Sequence, residues 1–325
     1  MTRRVLSLVA AAVGLVSVSA AATFTATSTA AAQDLPKVTL AMSGWTGFAP
    51  MTLAREAGIF ERNGIQVDIV KMPAPNRHQA MAAGDVQAIT TTVDTHILYA
   101  SSGVPVTQVL ALDTSSGGDG IAVREDIGSL ADLKGKSVAV QFGGVPQFWL
   151  AYLLDREGLQ LTDLELTNLE PKDAANAFVA GQFDAAVTYE PYLSTVRDAD
   201  AGKILVTSAD TPGVIIDTLA FQPDYIEQNP EVVEAMVTSW FEALDMIAEN
   251  PDEAYAIMAA DVNQPVEAFK QSAEFVTWYD REANRAYMTE TLPGFLEEAN
   301  DLMVSARLVR RPAETSGMID SSFVQ

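Results

Sequence analysis

Four short stretches place polar and aromatic side chains where an open α/β sheet receives ligands, just beyond the carboxyl ends of strands. The first is the small-residue turn Ser43-Gly44-Trp45-Thr46, the second Thr92-Val93-Asp94-Thr95, the third Gln141 to Phe148 with Gln141, Gly144 and Gln147, and the fourth Thr188-Tyr189-Glu190-Pro191. Asp119 and Asp217 add carboxylates in two β-rich connecting runs. Trp45 and Tyr189 offer ring faces to a cation, the carboxylates Asp94, Asp119, Glu190 and Asp217 offer charge-assisted hydrogen bonds, and the glutamines can orient a solute beside backbone amides freed by Gly143 and Gly144. No arginine or lysine lies in the same turns. A small cationic or zwitterionic nitrogen compound, such as an amine or a guanidine, is therefore the first expectation. The competing chemistry is a simple anion, a sulfonate or nitrate, held by helix N-termini at Thr46 to Ala49 and Val145 to Phe148. A taurine-like zwitterion would use both features, and a pyrimidine ranks after them. Three of these acids also have a purely structural use: Asp94 as a helix N-cap, Asp119 as a turn cap and Glu190 as a cap before Pro191.

Other chemistries lack their signatures. The histidines are only His78 and His96, there is no cysteine, and the two imidazoles have no i,i+4 partner. A zinc site, thiolate catalysis and disulfides therefore have no support, and no cofactor or metal is expected. Both histidines are expected at the surface or in caps. Leu133-Lys134-Gly135-Lys136-Ser137 has the ending of a phosphate loop, but Leu130 stands where its first glycine belongs, so it reads as a turn entering a strand. No Gly-x-Ser-x-Gly or helix-opening Gly-x-Gly-x-x-Gly occurs, which leaves serine hydrolysis and dinucleotide binding unsupported.

The elements that must carry these stretches repeat. Val38 to Met42 reads as a strand leading into the Ser43 turn, Pro50 sits in the first turn of a helix that Gly58 ends, and Ile65 to Val70 reads as the next strand. About 100 residues further on, Lys136 to Phe148 repeats strand, glycine turn, aromatic and helix. Met81 to Ala88 likewise resembles Val179 to Ala186, at nearly the same offset. Two similar α/β lobes facing each other across a cleft are the simplest arrangement, joined by two crossovers, the first through Asp113 to Gly120 and the second within Gly213 to Phe221. We assign residues 33–121 with 222–325 to the first lobe and 122–221 to the second. Helical periodicity over Glu231 to Asn250, Glu253 to Ala260, Val266 to Trp278 and Thr289 to Ala306 supplies extra C-terminal helices for the first lobe.

The chain opens Met1-Thr2-Arg3-Arg4, continues through the uncharged apolar run Val5 to Val18, and passes small residues ending Ala30-Ala31-Ala32. This is the pattern of a secretory signal peptide over residues 1–32. With no lipid-anchoring cysteine and no second apolar stretch long enough to span a bilayer, a soluble periplasmic product is expected. The formal net charge of -23 argues against nucleic acid or anionic lipid as a partner.

Several segments together resemble the periplasmic substrate-binding proteins of ATP-driven (ABC) importers for nitrate, sulfonates and taurine, including thiamine-precursor and guanidine-type members. They are Gly58-Ile59-Phe60-Glu61-Arg62-Asn63-Gly64-Ile65, Ala82-Ala83-Gly84-Asp85-Val86, Ser129 to Lys136, and Ala185-Ala186-Val187-Thr188-Tyr189-Glu190-Pro191. The resemblance spans the whole mature chain and implies a type II binding-protein fold: a monomeric two-lobed clamp that closes on one small solute. It also implies delivery to an inner-membrane permease with a cytoplasmic ATPase, and no bond made or broken. The pyrimidine-precursor synthases of related fold depend on histidine-rich and cysteine-containing sites, which this chain cannot supply.

Overall fold

The computed structural model describes residues 35–325; the signal peptide expected over 1–32 lies outside the described residues. The chain first lays down β1 (Lys37–Met42), β2 (Gln66–Lys71), β3 (Ala88–Thr92) and β4 (Thr107–Ser115). It then crosses to build β5 (Asp119–Val123), β6 (Ser137–Val140), β7 (Glu165–Asn168), β8 (Ala185–Tyr189) and β9 (Lys203–Thr207), and returns for β10 (Ile216–Phe221) and β11 (Val276–Trp278). Two sheets result, ordered β11-β4-β10-β3-β1-β2 and β7-β6-β8-β5-β9.

The internal repeat is legible in both orders. β2-β1-β3 and β7-β6-β8 are parallel triplets, and the next strand beside each is antiparallel and comes from elsewhere in the chain, β10 in the first sheet and β5 in the second, with β4 and β11 beyond β10 and β9 beyond β5. This is a two-lobed α/β architecture with helices on the sheet faces, as the alternation of strand and helix patterns requires.

Sheet membership shifts both crossovers relative to the sequence reading. β5 pairs with β8 and β9, so the passage out of the first sheet falls between Ser115 and Asp119, ahead of the expected boundary at 121. β10 pairs with β3 and β4, so the return precedes Ile216, whereas 222 was expected. Both strands are short apolar runs that could serve either sheet, and only pairing decides their membership. The two passages are tied together: the hydroxyls of Ser115 and Ser208 lie 2.7 Å apart, and the amide of Gly117 donates to Ser208 Oγ at 2.8 Å.

The expected C-terminal helices form at Pro230–Glu249, Pro251–Asp261, Val266–Ala273 and Leu292–Ser305. Val276 to Trp278, read as the end of a helix, is instead β11 on the open edge of β4, a role suited to its β-branched and aromatic residues. Trp240 and Phe241 from the longest of these helices are buried in the core that backs the first sheet.

Candidate functional site

Strand register builds the first half of the site. Asp217 on β10 stands opposite Thr92 on β3 and Asp113 on β4, and Asp113 in turn stands opposite Trp278 on β11. Directly opposed residues share a sheet face. A polar row, Thr92, Asp217 and Asp113, therefore runs across three strands at the sheet's rim. The second sheet contributes a shorter row, Asp119 on β5 opposite Tyr189 on β8. The rims face each other across a cavity lined by Ser43, Trp45, Arg77, Asp119, Tyr189 and Asp217, with Thr91, Thr92, Gln141 and apolar side chains between them. Its central space is about 30 Å³, room for about two waters. Outward it meets a vestibule of about 180 Å³ that shares Ser43, Ala74, Arg77, Gln141 and Tyr189 and adds Lys71, Glu170, Lys172 and Tyr192.

Trp45 is held more firmly than an exposed turn residue would be. Only 5 % of it is exposed, and its indole Nε1–H donates to Asp113 Oδ1 at 2.9 Å. Glycine at 47 and 118 makes the seat: a methyl group at Gly47 would strike the indole nitrogen and the Asp113 carboxylate, and one at Gly118 would strike the ring edge. Tyr189 from the other lobe meets the ring edge-on, centroids 5.8 Å apart. Trp278 Nε1–H donates to the Gly47 carbonyl at 2.9 Å and pins the same turn from β11. Trp45 is thus both a cavity wall and a core residue.

The largest departure from the sequence reading is Arg77. It lies in the helix Ala74–Ala83 that follows β2, is 4 % exposed, and lines both the cavity and the vestibule. One guanidinium nitrogen donates to the Thr90 carbonyl, while its Nε has no partner among the described residues. Burial lowers its proton affinity, and the neighbouring Tyr189 and Asp217 pull it back up. The cleft therefore contains a fixed cation, and the expectation of a cleft without one is corrected. The sequence signal was available, since the carboxyl end of β2 opens on the same rim as those of β1 and β3.

Burial raises Asp119 to about 7 and Asp94 to about 7, and it raises Asp113 to about 8 despite the hydrogen bond from Trp45. Asp217 is pushed well above the ordinary carboxylate range, by burial first and then by the negative charges of Asp113 and Asp119. Tyr189 is raised too, chiefly by burial.

Of the residues singled out in sequence, the structure brings Ser43, Trp45, Asp119, Gln141, Tyr189 and Asp217 to the cavity, and Gly44 to the vestibule. The others lie elsewhere. Thr46 is buried beneath the turn. Asp94, behind the row, sits in the first turn of the helix Val93–Ala100 and accepts from Thr95 Oγ1 at 3.2 Å, while Thr92 holds the cap position. Gly144 precedes the helix Val145–Arg156, packed against Gln141. Gln147 turns back to accept from the Gly143 amide at 2.9 Å and lines a separate groove. Thr188 donates to the Pro171 carbonyl at 2.8 Å. Glu190 is fully buried against Arg197 and accepts from the Ser194 amide at 3.1 Å. Asp113, read as part of the first crossover, belongs to the row.

Both histidines are interior, contrary to the surface placement expected. His78 Nε2 and His96 Nδ1 are 3.1 Å apart, and His78 stacks on Tyr99 with ring centroids 4.2 Å apart. Burial holds His96 down to about 3 and His78 well below its ordinary value, so the pair is neutral and locks the helix bearing Arg77 to its neighbour. Tyr99 then donates across the lobes to the Gly143 carbonyl at 3.2 Å. Among the described residues no group of three or more His, Cys, Asp or Glu side chains is placed to hold a metal, and no helix is long and apolar enough to cross a membrane.

Comparison with known proteins agrees with this architecture. An aliphatic-sulfonates-binding assignment attaches to an Escherichia coli relative that is 28% identical over 257 residues, 78% of each chain. The taurine-binding periplasmic protein of E. coli is 28% identical over 177 residues, 54% of this chain and 55% of that one. Among solved structures, the periplasmic aliphatic sulphonate binding protein of E. coli superposes with a TM-score of 0.72 at 21% identity, covering 88% of this chain and 98% of that one. A desulfurization enzyme shares the fold at a TM-score of 0.63 and 16% identity, covering 88% and 97%. The family model described as "NMT1/THI5 like" matches residues 45–254, a span that includes Trp45, Arg77 and both carboxylate rows, and the chain belongs to that family.

Proposed function

We propose that this chain is the periplasmic solute-binding component of an ABC importer and that its solute carries a sulfonate or a comparably small anion. Arg77 carries the proposal: a buried guanidinium with an unpartnered Nε, lining the cavity between the lobes, is a fixed anion site. The helix Val145–Arg156 supports it by turning its N-terminus toward the cavity, which Val145 lines. The relatives named for sulfonates and taurine support the same class. The first expectation from sequence, a small cationic or zwitterionic nitrogen compound led by amines and guanidines, is not what the relatives' names support. The anionic alternative fits better.

Capture without chemistry follows the relatives' names, although a desulfurization enzyme shows that the fold can carry a reaction. The implied partners are an inner-membrane permease and its ATPase, and the implied compartment is the periplasm. The test is a melting series on refolded protein with ethanesulfonate, taurine, nitrate and chloride. A sulfonate or nitrate at 100 times its dissociation constant adds about 2.7 kcal/mol of stability. No shift with any of these anions beyond that of chloride would remove the proposal, and sulfite release on prolonged incubation would replace capture with catalysis.

A further inference from the structure

We infer that capture of the anion is coupled to proton binding: Asp217 and Asp119 meet the solute as neutral carboxyl groups that donate hydrogen bonds to its oxygens, beside the guanidinium of Arg77. This rests on the anion reading above and adds a condition to it, because the same cavity with its acids ionised would repel the solute.

The placement of the acids carries the inference. Asp217 and Asp119 line the cavity from different sheets, each 4 % exposed, and Asp217 accepts no hydrogen bond among the described residues. Asp113 stands directly opposite Asp217 on β4, with one oxygen on the Trp45 indole and the other without a partner. Asp94 closes the group from the helix Val93–Ala100, and Arg77 is the cation that faces it. Were all four acids ionised, that guanidinium would leave three buried negative charges uncompensated, and like charges directly opposite on neighbouring strands destabilise a sheet.

Other titratable neighbours do not change this balance. Tyr189 lies beside Arg77 and Asp119, and Tyr279 beside Asp113; burial raises both phenols, so they stay neutral through pH 8.5. His96, which meets β10 at Thr218, and its partner His78 are held neutral by burial. Glu190, near Asp119, is committed to Arg197. Lys71, Lys172, Glu170 and Tyr192 line the vestibule.

Protonation resolves the conflict. A neutral carboxyl keeps one O–H donor, whereas the oxygens of a sulfonate or nitrate only accept. Arg77, Asp217 and Asp119 then offer donors from a helix, from β10 and from β5, so an anion held by all three joins the two sheets. Burial favours this form, holding Asp119 up to about 7 and Asp113 up to about 8. Above those values each captured anion must draw a proton from solvent, and affinity falls by up to about tenfold per pH unit for each proton taken up.

The probe is ethanesulfonate, whose own charge is constant from pH 6.0 to 8.5, titrated calorimetrically into the intact mature protein in amine buffers free of sulfonate and phosphate. Its dissociation constant is expected to rise at least about tenfold across that range, and weakly buffered protein at pH 8.5 should turn more alkaline when ethanesulfonate is added. Asp217→Asn, whose amide is neutral at every pH and still donates, is expected to shrink the rise to less than about threefold. An affinity that is flat or increases with pH, or a pH dependence that Asp217→Asn leaves intact, overturns the proton coupling and leaves the sulfonate reading standing. No binding of ethanesulfonate or nitrate at either pH removes both. Circular dichroism at each pH verifies the fold of the variant, and Asp119→Asn carries the same test should Asp217→Asn fail to fold.

Discussion

The turns Ser43–Phe48 and Gln141–Phe148 occupy equivalent places, after β1 and β6, yet they spend their polar atoms differently. On the first lobe, Trp45 reaches out of its turn to Asp113 and presents its ring to the cavity. On the second, Gln147 reaches back to the Gly143 amide of its own turn, and Gln141 Nε2 donates to Glu170 at 2.6 Å. Duplicated backbone therefore does not mean duplicated chemistry. Among the described residues, three of the five buried acids (Asp94, Asp113 and Asp217) and the buried Arg77 belong to the first sheet or its helices, whereas the second lobe supplies Asp119, Tyr189 and Glu190, the last held by Arg197. Most of the buried charge around the cavity therefore lies on one side.

The difference is broken most directly at Trp45. Trp45→Ala is expected to cost about 3–5 kcal/mol of stability, since it removes a buried indole and strips Asp113 of its donor; a urea-unfolding difference below about 1 kcal/mol would return Trp45 to the role of a removable cover. The concentration of acids on the first lobe has a signature in pH. An unfolded aspartate titrates near 3.8, whereas folded Asp119 titrates near 7 and Asp113 near 8. Between those values the folded chain holds more protons than the unfolded one, so stability falls as pH rises from about 4 through 8. The solute-free melting temperature should therefore drop by at least about 5 °C between pH 5.5 and 8.5, and Asp217→Asn should flatten that slope more than a substitution at the exposed Asp68 does. A melting temperature that rises over this range contradicts the buried-acid account. The smallest effect belongs to the second lobe's turn: Gln147→Ala should lose about 0.5–1.5 kcal/mol of stability with solute affinity within about twofold of the parent, and a larger loss of affinity would restore Gln147 to the cleft.

The repeat and the two α/β lobes were readable in sequence because the parallel triplets are local βαβ units, each announcing itself by strand, turn and helix within about 35 residues. The crossovers were less readable, since Asp119–Val123 and Ile216–Phe221 are apolar runs whose sheet is chosen only by long-range pairing. Trp45, Asp119, Tyr189 and Asp217 could be found because they sit at strand ends. Arg77 escaped notice because it arrives from the helix after β2, one strand away from the turns that carried the aromatic signals. Asp113 escaped because a carboxylate near the end of β4 looks like a turn residue until its register with Asp217 is known. Glu190 and Gln147 had the right address and the wrong orientation, each satisfied by a nearby partner, Arg197 in one case and the Gly143 amide in the other.

The register of Thr92, Asp217 and Asp113 also has a kinetic consequence. Backbone hydrogen bonds between neighbouring strands fix the spacing of these groups whatever the second lobe does, so the first lobe meets an arriving solute with its charges already in place. Association needs no rearrangement there, and the on-rate should respond to ionic strength through Arg77 and the acid row. Parting the lobes would break the Tyr189–Trp45 ring contact and the hydrogen bond from Tyr99 to the Gly143 carbonyl. On the proposed binding role, residence time would then depend on contacts that a solute need not touch.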